Sequence, residues 1–111
     1  MKIVDKNLND VTIVSVEGSI DALTAPEISQ YMNNLISSGK TKLVANFSGV
    51  DYTSSAGLRV LLGAVKETRS RGGDLFLVGV QPDVEKVLSL SGFTSIIKVF
   101  TDEEQAVSQF S

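Results

Sequence analysis

Leu43-Val44-Ala45-Asn46-Phe47, followed after a short connection by Asp51-Tyr52-Thr53-Ser54-Ser55-Ala56-Gly57-Leu58-Arg59-Val60-Leu61-Leu62, joins two different hydrophobic patterns. The first is a short apolar run of the kind carried by strands buried on both faces of a parallel sheet. In the second, Leu58, Leu61, Leu62 and Val65 recur at i, i+3, i+4 and i+7, the spacing of one face of a helix. A buried strand passing straight into an amphipathic helix is half of a βαβ unit, which points to an α/β fold. Two serines stand at the join. Ser54 or Ser55 is a candidate N-cap, whose side-chain oxygen satisfies a backbone N–H that the helix leaves unpaired. The same turn carries the positive end of the helix dipole, so a phosphate added to a hydroxyl there is accommodated rather than repelled. Two readings of the serines follow from the residues alone: a simple cap, or a hydroxyl that can be modified without disturbing the core.

Outward from this stretch the element signals continue to both ends of the chain. Lys2-Ile3-Val4-Asp5 and Val11 to Val16 read as strands joined by the turn residues Asn7-Leu8-Asn9-Asp10, an antiparallel hairpin. Thr24-Ala25-Pro26-Glu27 has the spacing of a capping box, with Ile28, Met32, Leu35 and Ile36 as the stripe that follows and Gly39 as the stop. The strand from Lys42 to Phe47 leads into the serine stretch and a helix to about Arg71, ended by Gly72-Gly73. Leu75 to Val80 is the next buried strand, Pro82 to Leu90 a short helix closed by Gly92, and Ile96 to Phe100 a last strand. Thr101-Asp102-Glu103-Glu104 repeats the capping-box pattern before a terminal helix whose inner face holds Ala106, Val107 and Phe110. The predicted order is ββαβαβαβα, a mixed and mostly parallel sheet with an N-terminal β-hairpin, in one domain over residues 1–111.

Composition narrows the chemistry. The chain of 111 residues, 42% hydrophobic and 21% charged, has the make-up of a globular protein and the length of one core. It contains no cysteine and no histidine, which removes thiol nucleophiles, histidine bases and the usual zinc ligand sets. No P-loop or glycine-rich dinucleotide fingerprint is present, no histidine exists to activate Ser55, and no Gly-x-Ser-x-Gly elbow surrounds it. The expectation is therefore a chain that is not an enzyme and needs no cofactor or metal. Asp51 after a central strand and Lys98 on the last one superficially echo a receiver domain. The opening hairpin and the lack of an acidic pair after a first strand argue against that. A formal charge of −3 without a basic run argues against a nucleic-acid partner. Lys66, Arg69 and Arg71 gather where cations offset a helix C-terminus. No apolar run is long enough to span a bilayer and no charged-then-apolar leader opens the chain, so the expected partners exclude membrane and the expected compartment is the cytoplasm.

Ser54-Ser55-Ala56-Gly57-Leu58 resembles the phosphorylation-site motif of bacterial anti-sigma factor antagonists, single STAS domains whose motif usually reads Asp-Ser-Ser/Thr/Ala-Gly-Leu. The modified serine of that family lies two places before the glycine, which implies Ser55 as phospho-acceptor; Ser54 stands in the usual aspartate position. Gly18-Ser19-Ile20-Asp21 is similar to the Gly-Glu-Leu-Asp turn after the family's second strand, and the element order agrees over nearly the whole chain. The resemblance implies a STAS-type fold and a partner switch. On that resemblance the unmodified chain is expected to bind an anti-sigma factor that is also its serine kinase, of histidine-kinase-type ATPase fold, and so to free a sigma factor for transcription. Phosphorylation is expected to end the binding and a PP2C-type phosphatase to restore it. STAS domains also serve as non-switching structural subunits of lipid-transport ABC complexes or signalling scaffolds, which is the alternative.

Provisional roles follow. Asp21 borders the site or is a solvated turn acid. Asp51 and Tyr52 lie on the approach to the helix and touch the partner, unless Tyr52 is half-core. Ser54 and Ala56 flank the acceptor. Arg59, one helical turn after Ser55, either pairs with the phosphate or is an exposed residue that meets the partner or water. Ala56, Val60, Gly63 and Ala64 lie opposite the leucine stripe, leaving the helix apolar on both sides. Either a neighbouring helix covers them or they form a docking surface beside Ser55.

Overall fold

A computed structural model describes residues 1–111. Its elements are β1 (Lys2–Leu8), β2 (Val11–Glu17), α1 (Ala25–Ser37), β3 (Lys42–Gly49), α2 (Ser55–Ser70), β4 (Asp74–Val78), α3 (Pro82–Leu90), β5 (Val99–Phe100) and α4 (Glu103–Gln109). The order is the predicted ββαβαβαβα. The five strands form one sheet in sequence order, with β1 antiparallel to β2 and every other neighbour parallel.

Alternation along the strands divides the core in two. Val14, Val16, Leu43, Ala45, Phe47, Leu75 and Leu77 point to the face covered by α1, α2 and α3, where Ile28, Met32, Leu58, Leu61 and Leu88 meet them. Val11, Ile13, Val44, Phe76 and Val78 point the other way, under α4 alone. There Phe110 stacks on Phe76 at 4.4 Å between ring centroids, and the buried Ala106 lies beside them. Strands apolar on both faces are what a parallel sheet enclosed by helices requires, and the run Leu43 to Phe47 meets that requirement.

Several boundaries differ from the sequence reading. The hairpin is longer: β1 runs through Asn7 and Leu8, Leu8 pairs with Val11, and the turn is Asn9-Asp10 alone, with Asn9 in the left-handed region at φ 60°. Asn7 joins the ladder because its side chain accepts a hydrogen bond from Thr12 Oγ1 at 2.9 Å across the pair. The capping box at Thr24 does not form. Thr24 Oγ1 donates to Ser19 O at 2.8 Å and accepts from Asp21 N–H at 2.9 Å, so it closes the preceding loop instead of capping α1. At α4 the cap sits one residue later than predicted: Asp102 accepts from Gln105 N–H at 2.9 Å, and Thr101 Oγ1 donates to the Gln105 side chain. The strand predicted over Ile96 to Phe100 shrinks to Val99–Phe100. A 3-10 turn at Phe93–Ser95 takes up the chain before it, and Arg69 donates to Ile96 O at 2.6 Å. The two glycines after α2 have different causes: Gly72 takes the left-handed φ of 82°, while a Cβ on Gly73 would lie 1.9 Å from Thr41 O.

Candidate functional site

Two loops at the carboxyl ends of β2 and β3 are bonded to each other. Gly18 N–H donates to Gly49 O at 2.9 Å, Ile20 N–H to Tyr52 O at 2.8 Å, and Ser54 N–H to Ile20 O at 2.8 Å. Ile20 and Thr53 thereby form a short parallel bridge that extends the pairing of β2 with β3. Both residues are buried. Helix α2 starts directly on this platform, and Gly57 is the point of contact: a Cβ there would lie 2.2 Å from Thr53 Oγ1 and 2.7 Å from Ile20 Cγ2. Any side chain at 57 would push the helix start away from the loops.

That close approach separates the two serines. Ser54 is extended, at φ −93° and ψ 178°, and its Oγ accepts from Ala56 N–H at 3.2 Å, so it is the N-cap. Ser55 is the first helical residue, is exposed, and makes no side-chain hydrogen bond. No acidic residue occupies the first turn of α2. An anion on Ser55 would therefore meet the unpaired N–H end of a long helix with no like charge in that turn.

A free hydroxyl, a capping serine before it and a glycine two places after it, all set by a buried loop pair, can be compared with known proteins. The STAS domain family matches residues 2–106. The chain belongs to the STAS domain family. It is 31% identical, over 99% of its length and 95% of the relative's, to the candidate anti-sigma factor antagonist BtrV of Bordetella bronchiseptica. It is 27% identical to the anti-sigma F factor antagonist of Paenibacillus polymyxa, over 89% of this chain and 86% of that one. Among solved structures, a candidate anti-sigma factor antagonist of Thermotoga maritima superimposes with a TM-score of 0.92 at 25% identity, covering 97% of this chain and 93% of that one.

Around the serines this STAS domain arranges the other predicted residues unequally. Asp21 Oδ1 accepts from Leu23 N–H at 2.9 Å and Thr24 N–H at 3.0 Å. The Thr24 and Leu23 amides hold its carboxyl below the usual aspartate range, so it shapes the loop that faces Ser55's own. Asp51 is exposed and accepts from Ser19 Oγ at 2.8 Å, a side-chain tie added to the three backbone bonds between the loops. Tyr52 is 52% exposed and belongs to neither core cluster. Leu23, in the loop with Asp21, is 85% exposed and was not singled out from sequence. One signal was available: it lies five residues before Ile28, off the i, i+3, i+4 spacing of the α1 stripe.

The second face of α2 divides. Ala64 is buried against α1, as a covered face would be, whereas Gly63 is exposed with nothing within 4 Å of where its Cβ would stand. Between α1 and α2 runs an open groove of about 990 Å³, with Ala56, Arg59, Val60 and Gly63 on one side and Ala22 and Ser29 on the other. Arg59 is exposed and has no carboxylate within ion-pair distance, unlike Arg69, which holds Asp74 at 3.0 Å, and Arg71, which holds Glu67 at 2.9 Å. No group of three or more His, Cys, Asp or Glu side chains is placed to hold a metal, and no helix is long and apolar enough to cross a membrane.

Proposed function

We propose that this STAS domain is an anti-sigma factor antagonist controlled by phosphorylation of Ser55. The unmodified form binds an anti-sigma factor that is also a serine kinase of histidine-kinase-type ATPase fold, and so releases a sigma factor. A PP2C-type phosphatase reverses the modification. The observation that carries this reading is the exposed, unengaged Ser55 hydroxyl at the start of α2, on a platform made rigid by the two bonded loops. The names of its relatives support the antagonist role.

The physical basis of the switch is local. Phosphorylation adds about −1.5 to −2 charges and three acceptor oxygens at the exposed start of α2, next in sequence to Ala56, which lines the groove, and the Ser55 side chain makes no contact in the fold for it to break. Loss of one central contact in a desolvated interface costs on the order of 2 kcal/mol or more, roughly thirtyfold in affinity.

The test uses the chain's cognate ATPase-fold serine kinase, isolated by pull-down, with ADP in place of ATP so that Ser55 stays unmodified. Calorimetric binding of the unmodified chain, lost in Ser55→Asp at unchanged fold, supports the switch. Equal affinity of both forms overturns it in favour of a constitutive structural subunit.

A further inference from the structure

We propose that Arg59 is the built-in counter-ion of a phosphate on Ser55, so that modification closes an internal clasp on α2. This rests on the assignment of Ser55 above. Ser55 and Arg59 are four residues apart in one continuous helix, so their side chains lie on the same face about one turn apart, the spacing at which an anion and a cation meet. The order is the favourable one, with the negative group nearer the helix N-terminus.

Three observations single out Arg59. It is exposed and unpaired, while Arg69 on the same helix and Arg71 at its C-cap are each committed to a carboxylate. Its neighbourhood on the Ser55 side holds no acid in the first helical turn to compete for it. Its guanidinium side chain lines the groove between α1 and α2, so in the unmodified chain it is available to an acidic group of a docked partner. A guanidinium takes a phosphate through two parallel N–H donors, a stronger arrangement than a single exposed ion pair. Phosphorylation would thus add charge at Ser55 and, through the clasp, withdraw the one free cation of the groove from the partner.

The clasp can be tested without any partner. The chain is made with phosphoserine incorporated at position 55 during translation, and the phosphate is titrated by 31P NMR in wild type, Arg59→Ala, Arg59→Lys and Arg71→Ala backgrounds. Arg59 should lower the midpoint of the second phosphate ionisation by about 0.3 pH unit or more relative to Arg59→Ala, the size expected of a charge-assisted i,i+4 pair. Arg59→Lys should fall between them, Arg71→Ala should match wild type, and the difference should shrink at high salt. Identical midpoints in wild type and Arg59→Ala, or an equal effect of Arg71→Ala, would overturn the clasp. Because the phosphate is placed by translation, a chain that no kinase modifies would sink the proposed switch while leaving this measurement intact.

Discussion

At the scale of single residues the site is a division of labour between Ser54 and Ser55. Ser54 spends its hydroxyl on Ala56 N–H, whereas the Ser55 hydroxyl is free. Ser55→Ala should therefore abolish labelling by the cognate kinase and ATP without changing stability. Ser54→Ala should still be labelled but lose about 1 kcal/mol, the worth of a serine N-cap. Phosphopeptide mapping and chemical denaturation read the two effects separately, and phosphate found on Ser54 or Thr53 would contradict the assignment. Gly57 has no chemical role, yet it decides where both serines stand. With 2.2 Å between a would-be Cβ and Thr53 Oγ1, and with Thr53 and Ile20 both buried, nothing nearby can give way cheaply. Gly57→Ala, which elsewhere in a helix would stabilise by up to about 1 kcal/mol, should here destabilise by about 1 to 3 kcal/mol. A melting temperature equal to or above wild type would show that the helix start is not pinned to the loop pair.

At the scale of elements, what was legible in the sequence was whatever hydrophobic periodicity encodes. The runs at Leu43–Phe47 and Leu75–Val80 and the stripes of α1 and α2 each gave an element of the right type, although β4 stops at Val78, because burial on two faces or on one stripe leaves an unambiguous pattern. The misplacements came where a polar side chain had a choice of partners. Thr24 had the spacing of a cap but bonds to Ser19 and Asp21 across the loop, and Asp102 outcompetes Thr101 for the start of α4. Local spacing cannot register a partner supplied by tertiary structure. The outer face of α2 was ambiguous for a related reason, since small residues suit both a covered and an open surface. Here the structure is decisive by position. Gly63→Leu meets open space, so it should keep or raise the melting temperature, removing a glycine that costs the helix roughly 0.5 to 1 kcal/mol. If the groove receives the kinase, the same substitution should lower affinity at least about tenfold. A mutant that melts normally and binds at full affinity would remove Gly63 from the interface.

At the scale of the whole molecule, α4 is the lone cover of one sheet face, and its hold is partly ionic. Glu103 accepts from Asn46 Nδ2 at 2.7 Å on β3 and pairs with Lys6 at 3.0 Å on β1, tying the helix to two strands. The Asn46 amide first, and Lys6 after it, keep the Glu103 carboxyl below its ordinary value of 4.5. A group whose pKa is lower in the folded chain binds its proton more tightly when unfolded. Its contribution is therefore complete above the ordinary value and is lost as the pH falls through 4.5 and below. The opposite sign holds for Tyr31, whose hydroxyl donates to Asp5 and is pushed up to about 12 from 10.0 by that bond. Its contribution is present below pH 10.0 and is lost as the pH rises toward about 12. Together these set a plateau of stability with an acid edge owed partly to α4 and an alkaline edge owed partly to the tie between α1 and β1. Glu103→Gln should thus be less stable than wild type at pH 7, with the gap narrowing steadily as urea denaturation is repeated toward pH 3. Tyr31→Phe should leave that acid limb unchanged and flatten only the alkaline one. A Glu103→Gln gap that stays constant from pH 7 to 3 would mean that α4 is held by the apolar contacts of Ala106 and Phe110 alone, and that its charge does not fasten it to the sheet.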